Sequence, residues 1–183
     1  MRPRGLTRLT VLLLVATTVP GHAEPAPGCA PDRLPKAVPE QGSAEERLAA
    51  DILAACLTQS PAPQARSRPA ANRLRASSVT AKSVTPALGV TVSMDATSLK
   101  IVDATLVTAG GRTEFRVADA ELGTVELQAT SLSGKLFGLI PITLGGGLPV
   151  PPLPLPYVKL TDVTVDGVTV TARTAALREV TGD

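Results

Sequence analysis

Aromatic side chains are scarce in this 183-residue chain: it has no Trp, one Tyr (Tyr157) and two Phe (Phe115 and Phe137). Sugar platforms and single-strand nucleic-acid surfaces are built by stacking on aromatic rings, so both are disfavoured. Histidine is scarcer still. His22 is the only one, and it falls in an N-terminal segment expected to be removed. Without imidazole the remaining chain cannot run a Ser–His or Cys–His mechanism, or offer nitrogen ligands to zinc. A basic excess is also missing. The 18 Lys and Arg stand against 16 Asp and Glu, and Arg2, Arg4 and Arg8 all lie in the removable segment, leaving 15 basic residues against 16 acidic ones. A nucleic-acid partner wants a basic face, so none is expected. Cofactor motifs are lacking too: "GGGLP" has neither the Lys nor the Ser/Thr of a phosphate loop, and "SLSGK" is not G-x-S-x-G.

What is present begins with an export signal. Three separated arginines precede the apolar run 9–19, and Gly21 and Ala23 are small residues where a signal peptidase reads. This predicts a secretory leader over residues 1–23, with cleavage after Ala23. The run is shorter than the roughly 20 residues of a membrane span. "APGC" lacks the aliphatic residue of a lipoprotein signal, so Cys29 is not expected to carry a lipid. The two cysteines, Cys29 and Cys56, both survive cleavage, and an even pair in an exported chain reads as a disulfide. The expected localisation is extracellular, in the cell envelope.

About 160 residues remain, the length of one ordinary domain. Residues 24–58 read as a Pro-rich arm followed by an amphipathic helix, tied together by the disulfide. Ser43 and Glu46 form a capping-box signal, and Leu48, Ile52 and Cys56, with Leu53 and Leu57 alongside, make one apolar stripe. Residues 59–75 read as a linker, 76–178 as a β domain and 179–183 as a tail. In the β domain, Val90, Val92 and Met94 alternate to one face. "DATLVTAGGRTEFRV" predicts a hairpin that sets Leu106 against Phe115 and Ala104 against Val117. Val125 and Leu127 alternate with Glu126 and Gln128. Asp166–Gly167 predicts a second tight turn, stacking Val163, Val165, Val168 and Val170. There is also internal repetition: "TVSMDATSL" (91–99) matches "TVELQATSL" (124–132), with shorter echoes "DATL" (103–106), "DAEL" (119–122) and "TAAL" (174–177). The expected fold class is mainly β: a curled antiparallel sheet or a short solenoid-like meander, with one N-terminal α-helix.

The segment 136–158 carries no charge, yet it holds six prolines and four glycines. Each interior proline costs a helix about 3 kcal/mol, so it is no spanning helix. "KLFGLIPITL" reads as a strand with Pro141 suited to an edge or a bulge, "LPVPPLPLP" as polyproline II, and "YVKLTDV" as the return to the sheet. The aliphatic and aromatic side chains of this crossover are Leu136, Phe137, Leu139, Ile140, Ile142, Leu144, Leu148, Val150, Leu153, Leu155 and Tyr157. Two readings stand. Either the crossover closes the end of a curled sheet and its side chains are core, or it lines an aliphatic groove or exposed patch for a lipid chain or membrane. Asp95, Asp103, Asp119, Asp162 and Asp166 lie near strand ends, where single aspartates usually cap turns rather than hold calcium. A Ser133–Lys135 dyad would need a lysine far below its ordinary pKa on an exposed strand, which disfavours it.

On "LSGKLFGLIPITL", the Pro/Leu tract after it and "LTDVTVDGVTV", the chain resembles small exported β-rich proteins of high-GC Gram-positive bacteria, which implies an actinobacterial origin. The strand-plus-"ATSL" texture is similar to bacterial lipid-binding and lipid-transport folds with a curled sheet. Neither resemblance carries catalytic residues, metals or cofactors. The expectation is a non-enzymatic exported protein that binds an apolar ligand (a lipid or acyl chain) or a membrane surface through the crossover side chains. The alternative is a structural or interaction module of the cell surface, with a cell-wall or surface protein as partner.

Overall fold

A helix cap sets the first element. In the computed structural model, which describes residues 28–58, 72–111, 113–146 and 152–182, helix α1 (Ala44–Leu57) starts at Ser43. Ser43 Oγ accepts the Glu46 N–H at 3.1 Å, and the Glu46 carboxylate reaches back to the Gly42 N–H at 2.7 Å. Two free donors of the first turn are thereby satisfied. The helix buries Ala49, Ala50, Ile52, Leu53, Cys56 and Leu57. Leu48, expected in that stripe, is instead 46% exposed, because the buried face centres on Ala49, Ala50 and Leu53 and Leu48 falls on the opposite side of the helix. The Cys29–Cys56 disulfide is formed and ties the arm to the last turn of α1. The helix packs on the strands β4 (Ser131–Leu136) and β5 (Ile140–Leu144). The leader and most of the linker lie outside the described residues.

The other strands are β1 (Arg73–Leu88), β2 (Val92–Val107), β3 (Glu114–Ala129), β6 (Leu155–Asp166) and β7 (Thr169–Gly182). All seven form one antiparallel sheet in the order β5-β4-β6-β1-β2-β3-β7. The predicted β2–β3 hairpin is present, with Leu106 opposite Phe115 and Ala104 opposite Val117. The sheet is wider along the chain than 76–178. Arg73 already pairs with Val107 and Asp166, and residues 180–182 continue the β7 ladder against Val117, Arg116 and Phe115, so the expected tail is strand.

The sheet must roll. β3 and β4 are separated in it by three strands, about 19 Å at ordinary strand spacing, yet only Thr130 joins them. Two successive peptide units span at most about 7 Å. The register shows how this is solved: Ser131 faces Asp166 in the β4–β6 pair, and Gln128 faces Thr169 in the β3–β7 pair. Both pairs belong to one long antiparallel ribbon that turns a corner at residues 129–130 and 167–168. Thr130 fastens the corner by donating both its N–H (2.9 Å) and its hydroxyl (2.8 Å) to the Asp166 carbonyl. Gly167, at φ +65, occupies a place where an added Cβ would lie 2.7 Å from Thr130 Oγ1. Asp166–Gly167 is therefore a ribbon corner and not the predicted hairpin, since β6 and β7 are not partners. A Gly-containing turn signal reports local positive φ, and a corner needs that as much as a hairpin does.

Two lines of interrupted pairing cross the sheet. One runs through Asp162, Ser77, Asp103, Ala118 and Glu179, the other through Pro156, Ser83, Thr97, Thr124 and Arg173; in each the residue is skipped in the ladder on both sides while the register continues. Positive φ alternates from strand to strand along both: Asp162 (+52), Asp103 (+49) and Glu179 (+50) in the first, Ser83 (+48) and Thr124 (+48) in the second. Each crossing makes the inward face skip a residue. On β2 the buried set runs Val92, Met94, Ala96, then Leu99, Ile101, then Ala104, with steps of three at the breaks. Ordinary strand alternation would have turned half of these outward.

Two smaller expectations differ in detail. "KLFGLIPITL" is a hairpin rather than one strand: the chain reverses at Phe137 (φ +52) and Gly138 (φ +77), and the Leu139 N–H returns to the Leu136 carbonyl at 2.9 Å. Pro141 sits on the edge strand β5, where its missing N–H costs no ladder bond. Val90, predicted inward with Val92 and Met94, precedes β2 and is 78% exposed.

Candidate functional site

Of the eleven crossover side chains, Leu148 and Val150 lie outside the described residues. Leu136, Phe137, Ile142, Leu144, Leu155 and Tyr157 are buried, Ile140 and Leu153 are half-buried and packed against that core, and Leu139 is exposed. Phe137 meets Tyr157 edge to face, with centroids 6.2 Å apart, and Lys159 Nζ stands 5.7 Å from the Phe137 centroid. This aromatic pair closes one end of the rolled sheet beside α1. Desolvation, and secondarily the Glu45 carboxylate, push the Tyr157 phenol above its ordinary pKa.

At the far end of the inner face the core is left open. There a groove of about 530 Å³ is lined by Ala104 and Leu106 of β2, by Phe115, Val117, Ala120 and Leu122 of β3, and by Val170, Leu177 and Val180 of β7. Leu74, Ile101 and Val168 form its floor towards the core, and Asn72 and Thr169 are its polar members. It falls within the roughly 300–1,000 Å³ of small-ligand sites. None of the nine described crossover residues lines it. The reason it stays open is composition. Past each pairing break the inward position is taken by alanine (Ala104, Ala120), and no described strand lies beyond the edge strand β7 to cover its leucine and valines.

Among the described residues, four of the seven exposed large hydrophobic side chains, Phe115, Val170, Leu177 and Val180, stand in this one groove. Leu177 and Val180 are each 52% exposed. Its described lining holds no carboxylate, amine or thiol, and what it presents is apolar contact, with the Asn72 amide and the Thr169 hydroxyl as its polar groups. Four of the strand-end aspartates lie elsewhere, in separate contacts: Asp166 with Arg73, Asp162 with Lys135 at 2.9 Å, Asp119 with Lys100 at 3.3 Å, and Asp103 accepting from Ser77 Oγ at 3.1 Å. Lys135 thus faces a carboxylate, and Ser133 donates to the Thr164 carbonyl.

The sequence carried a signal for these residues. The echo "DATL" begins on a pairing break and "DAEL" and "TAAL" begin directly after one, and their Ala and Leu are Ala104 and Leu106, Ala120 and Leu122, and Ala175 and Leu177. All of these but Ala175 line the groove. Compared with known proteins, the chain matches no protein-family model, no curated protein and no solved structure.

Proposed function

We propose that the protein is an exported, non-enzymatic binder of an acyl chain, held in the groove between β2, β3 and β7. The observation that carries this is the gathering of Phe115, Val170, Leu177 and Val180, all exposed, around one nearly polar-free groove. Contiguous apolar surface left in water is unfavourable, and covering it with a hydrocarbon gains about 25 cal/mol per Å². The disulfide fits an oxidising compartment such as the cell envelope, and the leader read over residues 1–23 supports the same address. The crossover serves this reading as core, holding the closed end of the sheet so that the other end can stay open.

The test uses the full mature chain and a fluorescent fatty acid. Saturable binding is expected, and native mass spectrometry of protein purified from its own host is expected to show a retained lipid. Leu177→Asp and Val180→Asp place a charge on side chains that are already half in water, so the fold should survive by circular dichroism. Each should weaken binding on the order of tenfold, because a carboxylate must be desolvated when the chain enters. Absence of saturable binding, or binding indifferent to both substitutions, refutes the assignment. In that event the surviving reading is a cell-surface interaction module.

A further inference from the structure

The outer edge of β7 is open among the described residues. All of its residues but Ala172 are exposed, and no described strand pairs with its free side. Long apolar edges are usually blunted by charge, proline or cover. Here the strand reads "TVTARTAALREVTG", with three charged residues, Arg173, Arg178 and Glu179, none of which forms an ion pair with a described residue.

We infer that the partner is a second copy of the same strand, antiparallel, with Arg173 of each copy opposite Glu179 of the other. The argument is independent of the acyl-chain reading and rests on the two break lines. Every residue on a line faces residues of the same line on the neighbouring strands, and positive φ alternates along it. On β7 the lines end at Glu179, which has positive φ, and at Arg173, which does not. The next strand must therefore bring an ordinary φ beside Glu179 and a positive φ beside Arg173. A second β7 in the stated register supplies both together. The first line of one copy then continues as the second line of the other, across a two-fold axis at Ala176.

Charge and side-chain facing agree with that register. It forms two Arg173–Glu179 pairs, and it places inward residues against inward ones: Ala172 opposite Val180 and Ala175 opposite Leu177. Other shifts by one or two residues fail. One sets Arg173 against Arg178; the rest set the inward Ala172 or Ala175 against an outward charged residue. Since Val170, Leu177 and Val180 line the groove, the grooves of the two copies would meet along the shared edge.

The test is sedimentation of the mature chain with three charge variants. The wild type is expected to be dimeric. Arg173→Glu and Glu179→Arg should each weaken the dimer on the order of tenfold or more, since each turns two attractive cross-strand pairs into repulsive ones. The double variant, Arg173→Glu with Glu179→Arg, should restore it, which a folding defect would not. Oxidised Ala176→Cys should give a covalent dimer, whereas Thr171→Cys, which faces Thr181 of the second copy, should not. A monomeric wild type, a dimer indifferent to the charge reversals, or equal crosslinking at both cysteine positions overturns the assignment.

Discussion

Tyr157 is the largest fully buried side chain of the sheet's closed end, and its phenol oxygen has no hydrogen-bond partner among the described residues. Removing an unpartnered hydroxyl should cost little, because no bond is lost and a desolvated dipole is relieved. Its titration gives a sharper expectation. Burial first, and then the Glu45 carboxylate, raise its folded pKa, while in the unfolded chain it ionises near pH ~10. The folded state thus holds the proton more tightly. The stabilisation is whole below the unfolded pKa and is lost as pH climbs from about 10 through the raised folded value. Lys100, raised by its hydrogen bonds to Glu121 and then Asp119, shifts stability in the same direction above its own ordinary range, so the comparison must be between variants. Tyr157→Phe should match the wild type in denaturant midpoint at neutral pH and exceed it above pH ~10. As this is the only tyrosine, tyrosinate absorbance reads its ionisation directly. Equal alkaline loss in both proteins would refute the burial account.

At the scale of the strand, the break lines explain how sixteen-residue strands curl without losing their inward face. They also have a local chemistry. Ser77 faces the positive-φ Asp103 and donates to the Val102 carbonyl at 3.0 Å; Thr97 faces the positive-φ Ser83 and donates to the Lys82 carbonyl at 3.1 Å. In each case a hydroxyl supplies the donor to the carbonyl just before the left-handed residue, where the ladder is interrupted. Thr97→Val keeps shape and β-branching but removes that donor. It should destabilise by about 0.5–1.5 kcal/mol, read from urea midpoints, whereas a valine at the exposed, unlinked Thr171 should change little. No difference between the two would show that the hydroxyl bond is incidental. The breaks were only half legible in the sequence. Alternation predicted the β2–β3 hairpin to the residue, because a two-strand register is local and its hydrophobic pattern is unbroken near the turn. It misplaced Val90, and the ATSL and DATL echoes could be read only as repetition. The step of three in the inward pattern, from Ala96 to Leu99 and from Ile101 to Ala104, was visible as spacing but has no meaning until the breaks are seen to align across strands.

Across the whole molecule, the apolar crossover and the groove lie at opposite ends of one rolled sheet, and only the first announced itself as an uncharged run. The groove draws a few spaced inward residues from each of three strands and so leaves no continuous signal. The Asp166–Gly167 corner was unreadable for the same reason, since its meaning depends on Thr130, the distant residue that joins β3 to β4. The disulfide, by contrast, followed from compartment and cysteine count, and the fold gives it a specific task. α1 rests on β4 and β5 alone among the strands with substantial contact, so the helix and its arm form a unit attached to one edge of a large sheet. Cross-linking residues 27 apart restricts the unfolded chain by about 3–4 kcal/mol in the loop-entropy picture. That stabilisation should be spent on the weakly attached unit first, because local opening draws on the region with fewest contacts. Cys29→Ser with Cys56→Ser should therefore speed amide exchange throughout Ala44–Leu57, while the central strands β1, β2 and β3 remain protected under native conditions. Exchange rising equally in β2 and in α1 would mean instead that the bridge stabilises the molecule as one cooperative unit, with no separable helical edge.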